Sequence, residues 1–123
     1  MIVIEGINHI GITVSNLEKS INFYKELFDF DGIDKHSTPG VAFLKVADII
    51  ISLYELPGYK NPADSKSRVS FVVDEEDFED ALDELEEMKI AIVYGPENIR
   101  NGKIVIFADP DGNQIELSYP QIS

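Results

Sequence analysis

The chain carries the same pattern twice, and that repetition limits its fold more than any bulk property does. Near the N-terminus, Ile7-Asn8-His9-Ile10-Gly11-Ile12-Thr13-Val14 alternates as a strand, and Ser15-Asn16-Leu17-Glu18 reads as a helix start. Midway, Arg68-Val69-Ser70-Phe71-Val72-Val73 alternates likewise, and Asp74-Glu75-Glu76-Asp77 begins a second helix. Each half closes on a strand, Ile49 to Tyr54 in the first and Asn113 to Ser118 in the second. The repeat makes residues equivalent: His9 matches Arg68, and Ser52 matches Glu116.

The intervening segments complete two copies of one order. In the first half, Ser15 with Glu18 forms a capping box, and Leu17, Ile21, Tyr24, Leu27 and Phe28 form a helical apolar stripe. Asp31-Gly32 ends that helix. His36 to Gly40 reads as a strand end and turn, and strands run over 41–46 and 49–54 around Ala47-Asp48. The Pro-containing stretch from Leu56 to Ser65 is a linker. In the second half the helix buries Phe78, Ala81, Leu82, Leu85 and Met88. A short strand over 90–94 follows, then a loop or lid over 95–102 and a strand over 103–108. Asp109-Pro110-Asp111-Gly112-Asn113 is a tight turn, since Pro sets φ and Gly tolerates positive φ. The expected class is α+β. Two strand–helix–strand–strand–strand modules, about 1–56 and 67–123 with a linker at 57–66, make one domain over 1–123, because either half alone is small for an independent core.

Charge and composition exclude some functions. The formal net charge is −13, which disfavours nucleic acid and anionic membrane surfaces as partners. With no cysteine there is no disulfide, thiolate metal site or Cys nucleophile. The N-terminus lacks the pattern of a signal peptide, and no apolar run reaches the ~18–20 residues of a membrane span, so a cytoplasmic protein is expected. The acidic run from Asp74 to Glu87 reads as the solvated side of an amphipathic helix.

Strand parity points to a functional face. One face of four strands is apolar: Ile10/Ile12/Val14, Ile49/Ile51/Leu53, Val69/Phe71/Val73 and Ile115/Leu117/Tyr119. The other carries His9/Gly11/Thr13, Ile50/Ser52/Tyr54, Arg68/Ser70/Val72 and Gln114/Glu116/Ser118. That is too polar for a second dry core, because unpaired buried polar groups are costly. A solvated sheet surface and a semi-polar ligand pocket both fit it.

Two segments resemble the glyoxalase, bleomycin-resistance and dioxygenase superfamily, also called the vicinal oxygen chelate superfamily. Ile7-Asn8-His9-Ile10-Gly11-Ile12 with Asn22-Phe23-Tyr24 is similar to the family's opening, and Phe107 to Leu117 is similar to its close. The resemblance implies paired βαβββ modules forming a curved mixed sheet around a cleft, commonly in a homodimer. It also implies a divalent cation held by one residue from the first and one from the last strand of each module. His9 and Glu116 keep donors there. Ser52 stands where Glu or Gln is usual, and Arg68 where His is usual. Arg offers no lone pair to a metal.

Three readings follow, with the first preferred. A metal-free pocket binds a small molecule through Ser52, Tyr54, Arg68, Ser70, Gln114 and Glu116. An enzyme of lyase, isomerase or dioxygenase type uses Arg68 as electrophile, with Glu116 or His9 moving the proton. A divalent metal, Zn, Ni, Mn or Fe, binds through His9 and Glu116 with waters or a further ligand such as His36. A structural or regulatory partner domain is the alternative of a different class. A homodimer is expected in any case, because open sheet edges need covering.

Overall fold

The structure is a computed structural model describing residues 1–29, the backbone of 32–34, and residues 38–122. It divides into two units, Met1–Lys60 and Asn61–Ser123. Each follows the order strand, helix, strand, strand, strand, so the fold is α+β with two βαβββ modules.

In the first unit β1 (Ile10–Val14) leads to α1 (Leu17–Leu27), then β2 (Gly32–Asp34), β3 (Val41–Val46) and β4 (Ile49–Glu55). The sheet order is β1-β4-β3-β2. The β1–β4 pair is parallel and the other two pairs are antiparallel. Ile12, Val14, Ala42, Leu44, Ile51 and Leu53 are buried, together with Ile21 and Tyr24 of α1. Burying each large apolar side chain contributes ~1.5–3 kcal/mol. The start of α1 departs from the expected capping box. Asn16 is the N-cap, its side chain accepting from Lys19 N at 2.9 Å. Glu55 Oε2 at the end of β4 accepts from Leu17 N at 2.7 Å. Two side chains thus satisfy N–H groups that the first turn leaves unpaired.

The second unit repeats this with β5 (Arg68–Val72), α2 (Glu75–Glu87), β6 (Ile92–Ile99), β7 (Gly102–Ala108) and β8 (Gln114–Tyr119). The order is β5-β8-β7-β6, again with one parallel pair. α2 docks through Phe78 and Leu85, and Phe78 meets Tyr119 edge-on with ring centroids 5.4 Å apart. Ala81, Leu82 and Met88 are only half-buried. Its acidic side is exposed, and Glu75, Glu76 and Asp77 sit in the first turn, where the helix dipole favours negative charge.

The expected loop over 95–102 is largely strand. β6 continues to Ile99, and only Arg100 and Asn101 separate it from β7. Gly95-Pro96 signals a break, but β6 is an edge strand with two register shifts against β7, a place where Pro is tolerated. The expected strand over 7–14 begins only at Ile10, which leaves His9 just before it.

The Asp109–Asn113 turn is built as its residues dictate. Asp109 Oδ1 accepts from Asp111 N at 2.8 Å and Asn113 N at 2.9 Å, and Gly112 has φ +83°. Asn61 donates from Nδ2 to Gly112 O at 3.1 Å, tying the start of this unit to the turn.

Candidate functional site

The register places Ser52 and Glu116 at equivalent positions of the two sheets. Gly11 pairs with Ser52 across β1 and β4, and Ser70 pairs with Glu116 across β5 and β8. Phe43 then lies beside Ser52, and Ile106 beside Glu116. Paired residues project to one face, so each sheet presents one row at the same place.

In the second unit that row holds a polar cluster. Arg68 Nε donates to Glu116 Oε1 at 2.9 Å. Ser70 Oγ donates to Glu116 Oε2, and Ser118 Oγ stands 3.5 Å from the same oxygen. Arg68 Nη1 is 3.4 Å from the carbonyl of Lys66. Glu116 is 9% exposed. Burial raises the pKa of its carboxyl, but the Ser70 hydroxyl, the Arg68 guanidinium and the Ser118 hydroxyl together outweigh burial and hold it below the ordinary 4.5. Glu116 is therefore an anion at neutral pH, held on both oxygens.

The equivalent row of the first unit is different. Ser52 is fully buried, and its Oγ has no hydrogen-bond partner among the described residues. His9 is exposed; its Nδ1 lies 2.7 Å from Asn8 Oδ1, and its ring meets Phe43 edge-on at 6.5 Å. Tyr54 is 39% exposed, and its ring lies over Gly11, where an added Cβ would stand 3.1 Å from Cε2.

Of the residues expected at a site, the second unit thus brings together Arg68, Ser70 and Glu116. Gln114 is occupied elsewhere, its Nε2 donating to Ser65 O at 3.2 Å. His36 lies outside the described residues. Ser118 was not among the expected ligand-binding residues, although its parity with Glu116 marked it. The Glu55 contact to α1 joins residues 38 apart in sequence and has no local signal.

Among the described residues, no group of three or more His, Asp or Glu side chains gathers to hold a metal ion. The second unit offers one carboxylate, and the Arg68 cation sits 2.9 Å from it. A dication there would lie beside a permanent positive charge. The residues of this unit do not fit a divalent metal by themselves.

The chain belongs to the Glyoxalase/Bleomycin resistance protein/Dioxygenase superfamily, whose model matches residues 6–117. It is 35% identical over 117 residues to the metallothiol transferase FosB of Staphylococcus epidermidis, which covers 93% of this chain and 81% of that protein. It is 33% identical over 118 residues to the glutathione transferase FosA of Serratia marcescens, covering 93% and 80%. Among solved structures, it is similar to the fosfomycin resistance protein FosX of Listeria monocytogenes complexed with Mn(II) and sulfate. That match has a TM-score of 0.83 at 19% identity and covers 98% of this chain and 94% of the other.

These relatives correct two expectations. The preferred reading was a metal-free, small-molecule-binding protein, yet the sequence relatives are transferases, that is, enzymes. No cofactor was the preferred expectation, yet one relative is a metallothiol transferase and a structural neighbour carries Mn(II). Both expectations rest on two substituted ligand positions, Ser52 and above all Arg68, and such substitutions do not determine the chemistry of a family.

Proposed function

We propose that this chain is an enzyme of the fosfomycin-modifying kind, joining a thiol or water to a small phosphonate. FosB and FosA relatives spanning 93% of the chain support the reaction class. The dihydroxypropylphosphonic acid complexed with a FosX neighbour supports the substrate class. The observation that carries the reading is the Arg68–Glu116–Ser70 cluster, one cation and one hydroxyl fixed on a buried carboxylate. The guanidinium holds an anionic group of the substrate and stabilises charge that develops on it. Glu116 fixes the guanidinium and stays ionised. His9 enters as a second proposed catalytic group, in the first unit, tested separately by His9→Ala.

The test is phosphorus NMR of fosfomycin incubated with the protein. It is run with glutathione, with cysteine or with neither, each with Mn(II) or Zn(II) and with chelator. A new phosphonate resonance that requires the protein supports the reading; an unchanged spectrum in every condition refutes it.

A cytoplasmic homodimer is part of the same proposal. No helix among the described residues is long and apolar enough to cross a membrane. Ile2, Val3, Ile4 and Ile7 are exposed, as are Ile92, Val93 and Tyr94 on or beside the edge strand β6, and such surfaces favour a second chain. Light scattering at micromolar concentration decides: twice the chain mass supports the dimer, the single-chain mass opposes it.

A further inference from the structure

We propose that Asn101 is a site of spontaneous covalent modification, converting to aspartate and isoaspartate with loss of ammonia, and that the isoaspartyl form unzips the outer end of the edge strand β6. This chemistry is independent of the reaction proposed above.

The hairpin between β6 and β7 has a loop of two residues, Arg100 and Asn101, closed by the pairing of Ile99 with Gly102. Arg100 takes φ +48°, the left-handed value that the first loop residue of so tight a hairpin adopts. Asn101 is exposed. The residue after it must be glycine, because a Cβ at position 102 would lie 1.8 Å from Tyr119 O. Packing against β8 thus leaves the amide next to the Asn101 side chain with no side chain to screen it.

That neighbourhood is reactive. Gly102 N attacks Asn101 Cγ; a C–N bond forms, the Cγ–Nδ2 bond breaks, and ammonia leaves with the proton from Gly102 N. Water then opens the cyclic imide at either carbonyl. One opening gives aspartate. The other routes the main chain through Cβ and gives isoaspartate. No electrons change hands, and water is the sole co-reactant. The attack needs Gly102 N to leave its pairing with Ile99. That pair closes the end of an edge strand with two register shifts along it, and such ends open locally at little free-energy cost.

No other asparagine has this neighbour. The remaining ones precede His9, Leu17, Phe23, Pro62, Ile99 and Gln114, all of which bear side chains. Asp111-Gly112 has the glycine, but Asp111 is 8% exposed and Gly112 N donates to Asp109 O at 3.0 Å inside its turn. The isoaspartyl product lengthens the main chain within the two-residue loop. Gly102 is held against Tyr119, so the distortion falls on β6, where Ile99 loses its register with Gly102. Plain aspartate leaves the main chain unchanged and only adds a negative charge.

The experiment is incubation of the full chain at mildly alkaline pH, followed by peptide mapping and by labelling with an isoaspartyl methyltransferase and a labelled methyl donor. The native chain should lose the Asn101 amide faster than any other asparagine amide, at a rate close to that in urea, and should accept label at residue 101 alone. Asn101→Gln, which keeps the amide but moves it one carbon further from Gly102 N, should accept none. Hydrogen exchange at the Ile99 amide should be faster in the isoaspartyl chain than in wild type or in Asn101→Asp. Absence of label in the native chain, conversion in urea only, earlier conversion at another asparagine or at Asp111, or unaltered exchange at Ile99 in the isoaspartyl chain would each overturn the inference.

Discussion

Arg68 and Glu116 sit one same-face step apart on the parallel β5–β8 pair, and their side chains close that gap with a 2.9 Å bond from Nε to Oε1. At the equivalent place in the first unit stand His9, exposed, and Ser52, buried without a hydrogen-bond partner among the described residues. The repeat has kept the backbone of the two sites and changed the chemistry of each.

Removing Arg68 alone strands the Glu116 carboxylate. A fully buried pair broken this way costs ~3–5 kcal/mol. Arg68 is about one-third exposed, so solvent screens the loss, and Arg68→Ala should cost about 1–2 kcal/mol. Adding Glu116→Gln should recover most of it. Urea unfolding of the two variants checks this; equal stability of both would show that the pair carries no coupling.

The Glu116 pKa is lowered by folding, so the contribution of this group to stability is present above about pH 4.5 and is lost as pH falls through the folded value. Wild type should therefore lose stability more steeply than Glu116→Gln as pH falls below about 4.5. Urea midpoints across that range report the difference, and parallel curves would contradict it.

The two halves could be read from the chain because alternation and turn residues are local. The pairing of Gly11 with Ser52 and of Ser70 with Glu116 is the register that the repeat implies. What escaped was tertiary. Gly95-Pro96 reads as a loop, yet it lies inside a bulged edge strand. Ser15 reads as a cap, yet Asn16 and the distant Glu55 cap α1. His9 belongs to an alternating run, yet pairing starts one residue later. The cluster at Arg68 and Glu116 is legible from equivalence and parity together, whereas Ser52 and Arg68, at two of the four ligand positions, carry no sign of the enzymatic nature of the relatives.

Two strand glycines differ in their tolerance. At Gly102 an added Cβ would lie 1.8 Å from the carbonyl oxygen of Tyr119, a backbone atom across the β7–β8 pair. Gly102→Ala should cost about 2–4 kcal/mol, since the ladder itself must shift. At Gly11 the obstacle is the Tyr54 ring at 3.1 Å, which can turn aside, so Gly11→Ala should cost under about 1 kcal/mol. Thermal melts rank the pair; the reverse order would show that the β8 end yields easily.

Replacing Arg68 by His changes the donor set. It removes a cation beside Glu116 and supplies a ring nitrogen that can ligate. Arg68→His should bind Mn(II) at least about tenfold more tightly than wild type, since a like charge a few ångströms away is worth more than about 1 kcal/mol even when screened. Calorimetric titration with Mn(II) measures this, and equal affinities would show that Arg68 does not limit metal binding.

The central claim is that the Arg68–Glu116–Ser70 cluster serves an enzyme acting on a small phosphonate. Initial rates of fosfomycin consumption, followed by phosphorus NMR with thiol and Mn(II) present, test it most directly when wild type is run beside Arg68→Lys and Ser70→Ala. The account predicts turnover by wild type and a fall in kcat/KM of about tenfold or more in Arg68→Lys, as expected when a bidentate charged contact is lost. Absence of turnover by wild type, or turnover that neither substitution alters, would contradict it.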